Sequence, residues 1–411
     1  LSLLKDRMRH VVVTASTGCA ADKLGGGALT LHSALGLGHG TQSLDALTKK
    51  LRDPRSSVGR RVAKMRALIL DEASMIPGGL LELVFELLNR VKGSNHSTQF
   101  VVCADPLQLL PIESAHSRGR FFECEAIQSL LPTVLTESFR QAESPFLSVL
   151  RRARRGVATA ADLAWLYEHS ACPRSDVPRL VCLRAEAESI NASCLASLQG
   201  PDVVFQAEDA FHTRVTEIAE LSVEPLLSKK TVRLRLHARV MLVKNMAERR
   251  LHNGSIGTVS RFFVGSVLVD FDGVGAVQVS LAPHEVVRDG VLVATRKQLP
   301  LVLAYATSIH KAQGSTLAKA SMELGRCFAK GQAYVSLSRV REISDCSITG
   351  LSLSALNNVD RPSLRFFNDA TEASEDRRED VRLEEQRADE EAFWSSDTVG
   401  RELDALLSGA Q

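Results

Sequence analysis

The chain has 411 residues, 45% of them hydrophobic and 24% charged, and at about 150 residues per domain that length predicts two or three domains. No apolar run approaches the ~18 residues of a membrane span, and the 8 Cys are scattered without CxxC pairing, which argues against zinc sites and disulfide frameworks and for a reducing compartment. The net charge of +2 hides an asymmetry: residues 371–411 carry 13 acidic and 5 basic side chains, so the rest carries +10, a surplus compatible with a polyanionic partner.

Leu1-Ser2-Leu3-Leu4-Lys5-Asp6 reads as a helix already under way, with no cap before it. That predicts a fragment, or a gene model lacking its 5′ end. The expected location is intracellular, in the nucleus or mitochondrion if the source is eukaryotic. Val11-Val12-Val13-Thr14, Ala67-Leu68-Ile69-Leu70 and Phe100-Val101-Val102-Cys103-Ala104 are short apolar runs, and Leu80 to Val91 has the apolar spacing of an amphipathic helix. Fully apolar strands separated by helices predict a parallel sheet covered on both faces. Ligands of such sheets sit at the carboxyl ends of the strands. All three runs end there in polar residues: Thr14, Ser16 and Thr17, then Asp71-Glu72, then Asp105 and Gln108.

Residues 33–60 are Gly-rich and then basic, too irregular for a strand, and read as an excursion from the first domain. Arg151 to Gly156 reads as a basic helix end, its arginines on a solvated face. Arg179 to Leu183 reads as a strand and Ala185 to Leu198 as a helix. From Arg239 to about Leu292 the pattern changes to short strands joined by Asn253-Gly254 and Asp272-Gly273, both hairpin turn signals. Leu301 to Ala306 then resumes a buried strand. The expected organisation is a first α/β domain over 1–150 and a second over 151–238 and 293–368. A small β module over 239–292 interrupts the second. An acidic tail over 369–411 is expected to be a solvated helix or disordered.

Asp71-Glu72 after a buried strand is the arrangement of a Walker B pair. The Asp would hold Mg²⁺ through water, and the Glu would orient or deprotonate the attacking water. An isolated Asp-Glu also suits a helix start. The surrounding segments decide between the two. Val13-Thr14-Ala15-Ser16-Thr17-Gly18, Leu29-Thr30-Leu31-His32-Ser33, Leu70-Asp71-Glu72-Ala73-Ser74, Ala104-Asp105-Pro106-Leu107-Gln108 and Leu135-Thr136-Glu137-Ser138-Phe139-Arg140-Gln141 stand in order. Asn191, Arg239 to Asn245, His252-Asn253-Gly254-Ser255, Ser308-Ile309-His310-Lys311-Ala312-Gln313-Gly314-Ser315-Thr316 and Gly331 to Arg339 continue the series. Together, over residues 1 to about 350, they resemble the motifs of the Pif-type branch of superfamily 1 DNA helicases, relatives of the RecD family.

The resemblance implies two RecA-like P-loop NTPase domains with an inserted SH3-like module, a wedge element at 33–60, and ATP bound in the cleft between the domains. It implies that Asp71 and Glu72 serve Mg²⁺ and water, that Gln108 senses the γ-phosphate, and that Arg140 and Arg339 are arginine fingers from the second domain. Gly314 would join these at the nucleotide. Thr14, Ser16, Thr17, His32, Ser308, His310, Lys311 and Thr316 would line the single-strand track, where hydroxyls, His and Lys suit phosphate contacts without base preference. It further implies 5′-to-3′ movement, single-stranded DNA and single/double-strand junctions as partners, roles in repair, recombination or telomere maintenance, a monomer, and no membrane association. With only 20 Phe, Trp or Tyr, phosphate tracking is expected over an extended stacking platform. The phosphate-binding loop GxxxxGK(S/T) occurs nowhere in residues 1–411. Relatives place it just before the segment that aligns with Leu1, so truncation after the loop is expected. The alternative is a catalytically inactive nucleic-acid-binding remnant.

Overall fold

The computed structural model describes residues 9–394 except 38–42, 95, 112–118, 173–176, 212–229, 245, 250, 252–253 and 289–290. The expected opening helix over 1–6, and His252 and Asn253 of the expected hairpin, lie outside the described residues.

Strands β1 (Val11–Ala15), β2 (Leu29–Thr30), β3 (Ala67–Asp71) and β4 (Gln99–Val102) form a parallel sheet in the order β2-β1-β3-β4. Val13, Ala15 and Ala67 to Leu70 are buried, as covered parallel strands require. The register sets Ala15 opposite Asp71, so the carboxyl ends of β1 and β3 coincide. Strand β2 is two residues long, too short to leave a periodic signal. Within 33–60 the described residues form no strand, and much of the stretch is helical. Helices Leu44–Arg52 and Ser57–Lys64 bury Leu47, Leu51, Val58 and Val62, and the first packs on helix Gly78–Lys92. Each begins on a serine cap, Ser43 and Ser56, whose Oγ accepts a backbone N–H.

The second parallel sheet is β16-β5-β17-β18, with β5 at Arg179–Val181, β16 at Ala306–Ser308, β17 at Ala320–Glu323 and β18 at Cys346–Thr349. Its core takes in Phe146, Val149, Leu150 and Ala153 of helix Pro145–Arg155. A first domain ending at residue 150 is therefore corrected: that helix already belongs to the second core.

Between β5 and β16 lies an all-β region wider than the expected 239–292. Strands β9 (Arg239–Leu242), β10 (Ile256–Phe263), β11 (Ser266–Phe271), β12 (Gly275–Ser280) and β15 (Leu301–Leu303) form one five-stranded sheet, its pairings antiparallel. Strands β7 (Glu208–Phe211), β13 (Ala282–Arg288) and β14 (Val291–Gln298) form another, and β6 (Val203–Gln206) pairs with β8 (Thr231–Leu234). The expected continuous strand over 301–306 is thus two strands in two sheets. Asn191 holds the break: its Oδ1 accepts from the N–H groups of Tyr305 and Ala306, and its Nδ2 donates to Ala306 O.

The chain separates into two compact units, Leu1–Ser129 with Ser138–Asp360, and Leu130–Glu137 with Arg361–Gln411. The first holds both parallel sheets. In the second, helix Arg361–Trp394 runs for 34 residues and begins before the expected tail boundary at 369. Ser374 Oγ accepts from the Val134 N–H at 3.0 Å, which ties the two stretches of that unit together. No helix among the described residues is long and apolar enough to cross a membrane.

Candidate active site

Asp71 ends β3, and Glu72 follows in the left-handed region at φ 52°, ψ 39°. That conformation costs a non-glycine residue roughly 1–2 kcal/mol and turns the chain sharply off the strand. Across from it runs the 308–316 segment at the carboxyl end of β16. Gln313 Nε2 donates to Glu72 Oε2 at 3.2 Å. Gly314 has φ +71°, and a Cβ there would sit 3.0 Å from Glu72 Oε1. The glycine therefore lets the backbone approach the carboxylate. Burial pushes the Glu72 carboxyl above its ordinary range, the Gln313 bond opposes this, and Asp71 adds to the rise. Burial also raises Asp71, partly offset by its bond to the Glu72 N–H.

Arg339, 1% exposed, is the largest fully buried side chain among the described residues. Its guanidinium donates to Val335 O at 2.8 Å, to Ser338 Oγ at 2.6 Å and to Ser315 O at 3.3 Å. Burial and the neighbouring Arg140 charge push it down to about 10, with Glu72 opposing, so it stays protonated at neutral pH. Arg140 Nη1 donates to Ser338 O at 2.8 Å, and Gln141 Nε2 to Val340 O at 2.8 Å, so both brace the backbone around Arg339. Gln108 Nε2 donates to Asp105 Oδ2 at 3.0 Å, and Asp105 Oδ1 accepts from Arg154 at 2.8 Å. Tyr334 lies among these charges, its hydroxyl pushed up to about 12 by burial and then by Asp105.

Contacts thus join Glu72 to Gly314, Arg140 to the backbone beside Arg339, and the Gln108 backbone to Gly331, where the elements of the two sheets meet. Sequence reasoning missed three more residues there. Gln313 lies inside a quoted motif, but its amide was given no task. Arg154 does not lie on a solvated face: Leu147, Leu150 and Arg154 share one helix stripe, which was the available signal. Tyr334 had no signal of its own.

The expected single-strand track divides. Thr14 is fully buried and its Oγ1 donates to Ile69 O at 2.8 Å, so its expected contact with DNA is corrected: the hydroxyl is spent on the neighbouring strand. Ser308 is buried at the end of β16, which leaves its side chain little surface to offer a strand. Thr17 is exposed and its Oγ1 accepts from the Ala20 N–H. Lys311 and Thr316 are exposed, while Ser16, His32 and His310 are half-buried. The His310 ring stacks on Phe328 with centroids 6.4 Å apart, and burial lowers its basicity.

The chemistry of this donor set fits a nucleotide and its metal. Gln108 Oε1, Gln313 Oε1 and Ser16 Oγ are buried without a hydrogen-bond partner among the described residues. Glu72 interacts electrostatically with both Asp71 and Arg339, and Arg339 in turn with Arg140. No cluster of three or more metal-ligating side chains occurs among the described residues. A metal held by Asp71 would therefore rely on water and a bound ligand for its other contacts, as Mg²⁺ does.

The family described as PIF1-like helicase matches residues 1–144. The Bdellovibrio bacteriovorus ATP-dependent DNA helicase Pif1 is 31% identical over 370 residues, covering 87% of this chain and 82% of that protein. The chain belongs to the PIF1-like helicase family. Human ATP-dependent DNA helicase PIF1 is 34% identical, over 81% of this chain and 53% of its own length. The PIF1-like chain thus spans about half the length of the human relative, and similarly of the Emericella nidulans one, 54% of which is covered. Among solved structures, Pif1 helicase from Candida albicans is similar with a TM-score of 0.77 and 29% identity, over 90% of this chain and 91% of that one. Bacteroides Pif1 bound to ssDNA is similar with a TM-score of 0.67 and 25% identity, over 90% and 89%.

Proposed function

We propose that this chain is the motor of an ATP-dependent DNA helicase, which hydrolyses ATP in the cleft between its two parallel sheets and moves along single-stranded DNA 5′ to 3′. The observation that carries the reading is the Glu72–Gln313–Gly314 contact. It joins a carboxylate fit to act as general base to the segment that bears His310 and Lys311. Glu72 would take the proton of the attacking water, which its raised affinity for protons favours. Arg339 and Arg140 would offset charge developing on the transferred phosphoryl group, a role worth several orders of magnitude in this chemistry. Asp71 would hold Mg²⁺, which supplies charge neutralisation at the phosphates. His310, Lys311, Thr316 and Thr17 would contact strand phosphates. Closure of the cleft would move the two halves of the track relative to each other. Single-stranded DNA and junctions are the proposed partners, with the chain acting as a monomer.

A second reading is a nucleic-acid-binding chain that does not hydrolyse ATP, in which Arg140 and Arg339 serve only the backbone they already bond at Ser338, Val335 and Ser315. One experiment separates the two. Strand displacement is measured on forked DNA with a 5′ or a 3′ tail, using the chain alone and the chain preceded by the phosphate-loop segment of the Bdellovibrio relative. The motor reading expects ATP-dependent displacement from the 5′ tail by the extended chain. Binding without displacement by both chains would sink it.

A further inference from the structure

The carboxyl ends of β5 and β17 carry two thiols that the helicase reading leaves unused. Cys182 directly follows β5 and is 2% exposed, and Cys327 comes four residues after β17 and is half-buried. Their Sγ atoms lie 3.5 Å apart. The sheet itself holds them there, since β5 and β17 are paired neighbours with Glu323 opposite Val181. Gln332 closes the other side. Its Nε2 donates to Cys182 O at 3.1 Å, and its Oε1 accepts from the N–H groups of Phe328 and Ala329. The hydrogen bond between them holds the Cys182 thiol below its ordinary range, and Cys327 is raised in return.

The segment that Cys327 belongs to reaches the whole proposed machine. Phe328 stacks on His310 of the proposed strand track. Gly331, at φ +75°, packs so closely that a Cβ would lie 2.7 Å from Leu107 O and 3.2 Å from Gln108 O. The helix Gln332–Leu337 then leads straight into Arg339. A bond that fixes Cys327 therefore fixes the approach to Gln108, His310 and Arg339 together.

We propose that Cys182 and Cys327 form a redox-modification site: a reversible intrachain disulfide that clamps segment 324–331 to β5. With a peroxide as the two-electron oxidant, one thiolate attacks the peroxide oxygen and becomes a sulfenic acid, releasing hydroxide. The second thiol then attacks the sulfenic sulfur, the S–S bond forms and the S–O bond breaks. The hydroxide from the first step and the one from the second each take up a thiol proton, so two thiols and one hydrogen peroxide become one disulfide and two waters. The sulfurs need to close from 3.5 Å to roughly 2 Å. Small-molecule thiols reverse the bond by exchange, which suits a labile, regulatory disulfide in a reducing compartment. The consequence for DNA rests on the helicase reading; the chemistry does not.

The test treats the reduced 411-residue chain with hydrogen peroxide, blocks remaining thiols and maps peptides by mass spectrometry. The expected product has lost two hydrogens and joins Cys182 to Cys327, is reversed by dithiothreitol, and is absent in Cys327→Ser. Amide hydrogen exchange over residues 324–331 slows by about tenfold or more in the cross-linked chain. Sulfinic acid at Cys327 without a cross-link, bridging scattered among Cys103 and Cys172, or unchanged exchange would each overturn the proposal. Fluorescence anisotropy with single-stranded DNA supplies the second readout. Oxidation is expected to weaken binding about tenfold in the parent and not in Cys327→Ser, by loss of adaptable stacking at Phe328 and His310. Equal affinities in the two redox states would overturn the regulatory consequence. If neither state binds DNA while the cross-link forms and exchange slows, the failure belongs to the helicase reading and the disulfide stands.

Discussion

Gly314→Ala tests the contact on which the proposed chemistry depends. The substitution has two separable costs. The backbone at Gly314 has φ +71°, where an L-residue costs about 1–2 kcal/mol. The new methyl carbon would also sit 3.0 Å from Glu72 Oε1, so the carboxylate must retreat by a few tenths of an ångström. Glu72 has little room to comply, since its own backbone is left-handed and its other oxygen accepts from Gln313. Misplacement of a reacting group by about 1 Å costs roughly a hundredfold, so a smaller shift is expected to cost about ten- to a hundredfold in turnover. The control is Gly273→Ala. Gly273 has φ +74° with nothing within 4 Å of a built Cβ, so it carries the backbone cost without touching Glu72. Thermal unfolding of the chain should fall by a few degrees for both variants. DNA-stimulated ATPase, measured in the chain extended by the phosphate-loop segment of the Bdellovibrio relative, should fall only for Gly314→Ala. Equal turnover for the two variants, or a loss of less than about twofold for Gly314→Ala, would refute the proposed coupling.

Glu72→Gln in the same extended chain should retain nucleotide binding yet lose at least about a hundredfold in hydrolysis, because the amide cannot accept the water's proton. Since burial raises the Glu72 carboxyl, the acid limb of the parent's pH–rate profile should lie above the ordinary carboxylate range; a limb within that range would mean another base. His310→Ala with Lys311→Ala should weaken single-stranded DNA binding by about 1–3 kcal/mol, while Thr14→Val should leave affinity unchanged and cost about 1 kcal/mol of stability. Anisotropy at two salt concentrations checks the first, and equal losses from both changes would restore Thr14 to the track. Asp360, 3% exposed in its side chain, accepts from Arg120 at 2.8 and 3.0 Å and from Lys330 at 2.8 Å. Asp360→Ala should lower stability by about 2–4 kcal/mol in urea unfolding, since Lys330 and Arg120 lose a buried shared anion and Arg120 keeps only the more exposed Glu123.

Much of the first sheet and of the candidate site was legible because its parts are local. A buried apolar run that ends abruptly in charge, as Leu70 does at Asp71, marks both the strand and the site. Three such runs were enough to predict a parallel sheet, though not its edge strand β2. What was not legible depends on pairing partners that lie far off in the chain. Leu301–Leu303 and Ala306–Ser308 are equally strand-like, and only pairing with β9 or with β5 assigns them to different sheets. Thr14 looked like the first residue of a polar loop. It is in fact the middle of a run of three buried residues, Val13 to Ala15, and its hydroxyl is satisfied within the sheet. Arg154 was hidden by its basic neighbours. Arg151 and Arg152 pair with Glu143 and Asp162, as solvated arginines do, whereas Arg154 turns inward to Asp105.

The concentration of charge in the cleft has a consequence for stability that separates this site from a structural ion-pair network. Asp71 and Glu72 are both raised above their ordinary values, chiefly by burial. Carboxyls raised in the folded chain contribute stability that is fully present below their unfolded values and is lost as pH rises through the folded ones. At neutral pH they therefore oppose folding, the reverse of a carboxylate held by a salt bridge such as Asp162 with Arg152, which is lowered to about 2. A chain selected for stability alone would not leave two desolvated carboxyls beside buried, unpartnered amide oxygens at Gln108 and Gln313. A cation delivered with an anionic ligand would reverse both debts at once, stabilising the carboxylates while the ligand's oxygens meet Arg140 and Arg339. Magnesium with a nucleotide should then raise the unfolding temperature of the extended chain more at neutral pH than in mild acid, where protonated Asp71 and Glu72 no longer attract the metal. A stabilisation that is independent of pH, or greater in acid, would place the bound cation away from these two carboxyls.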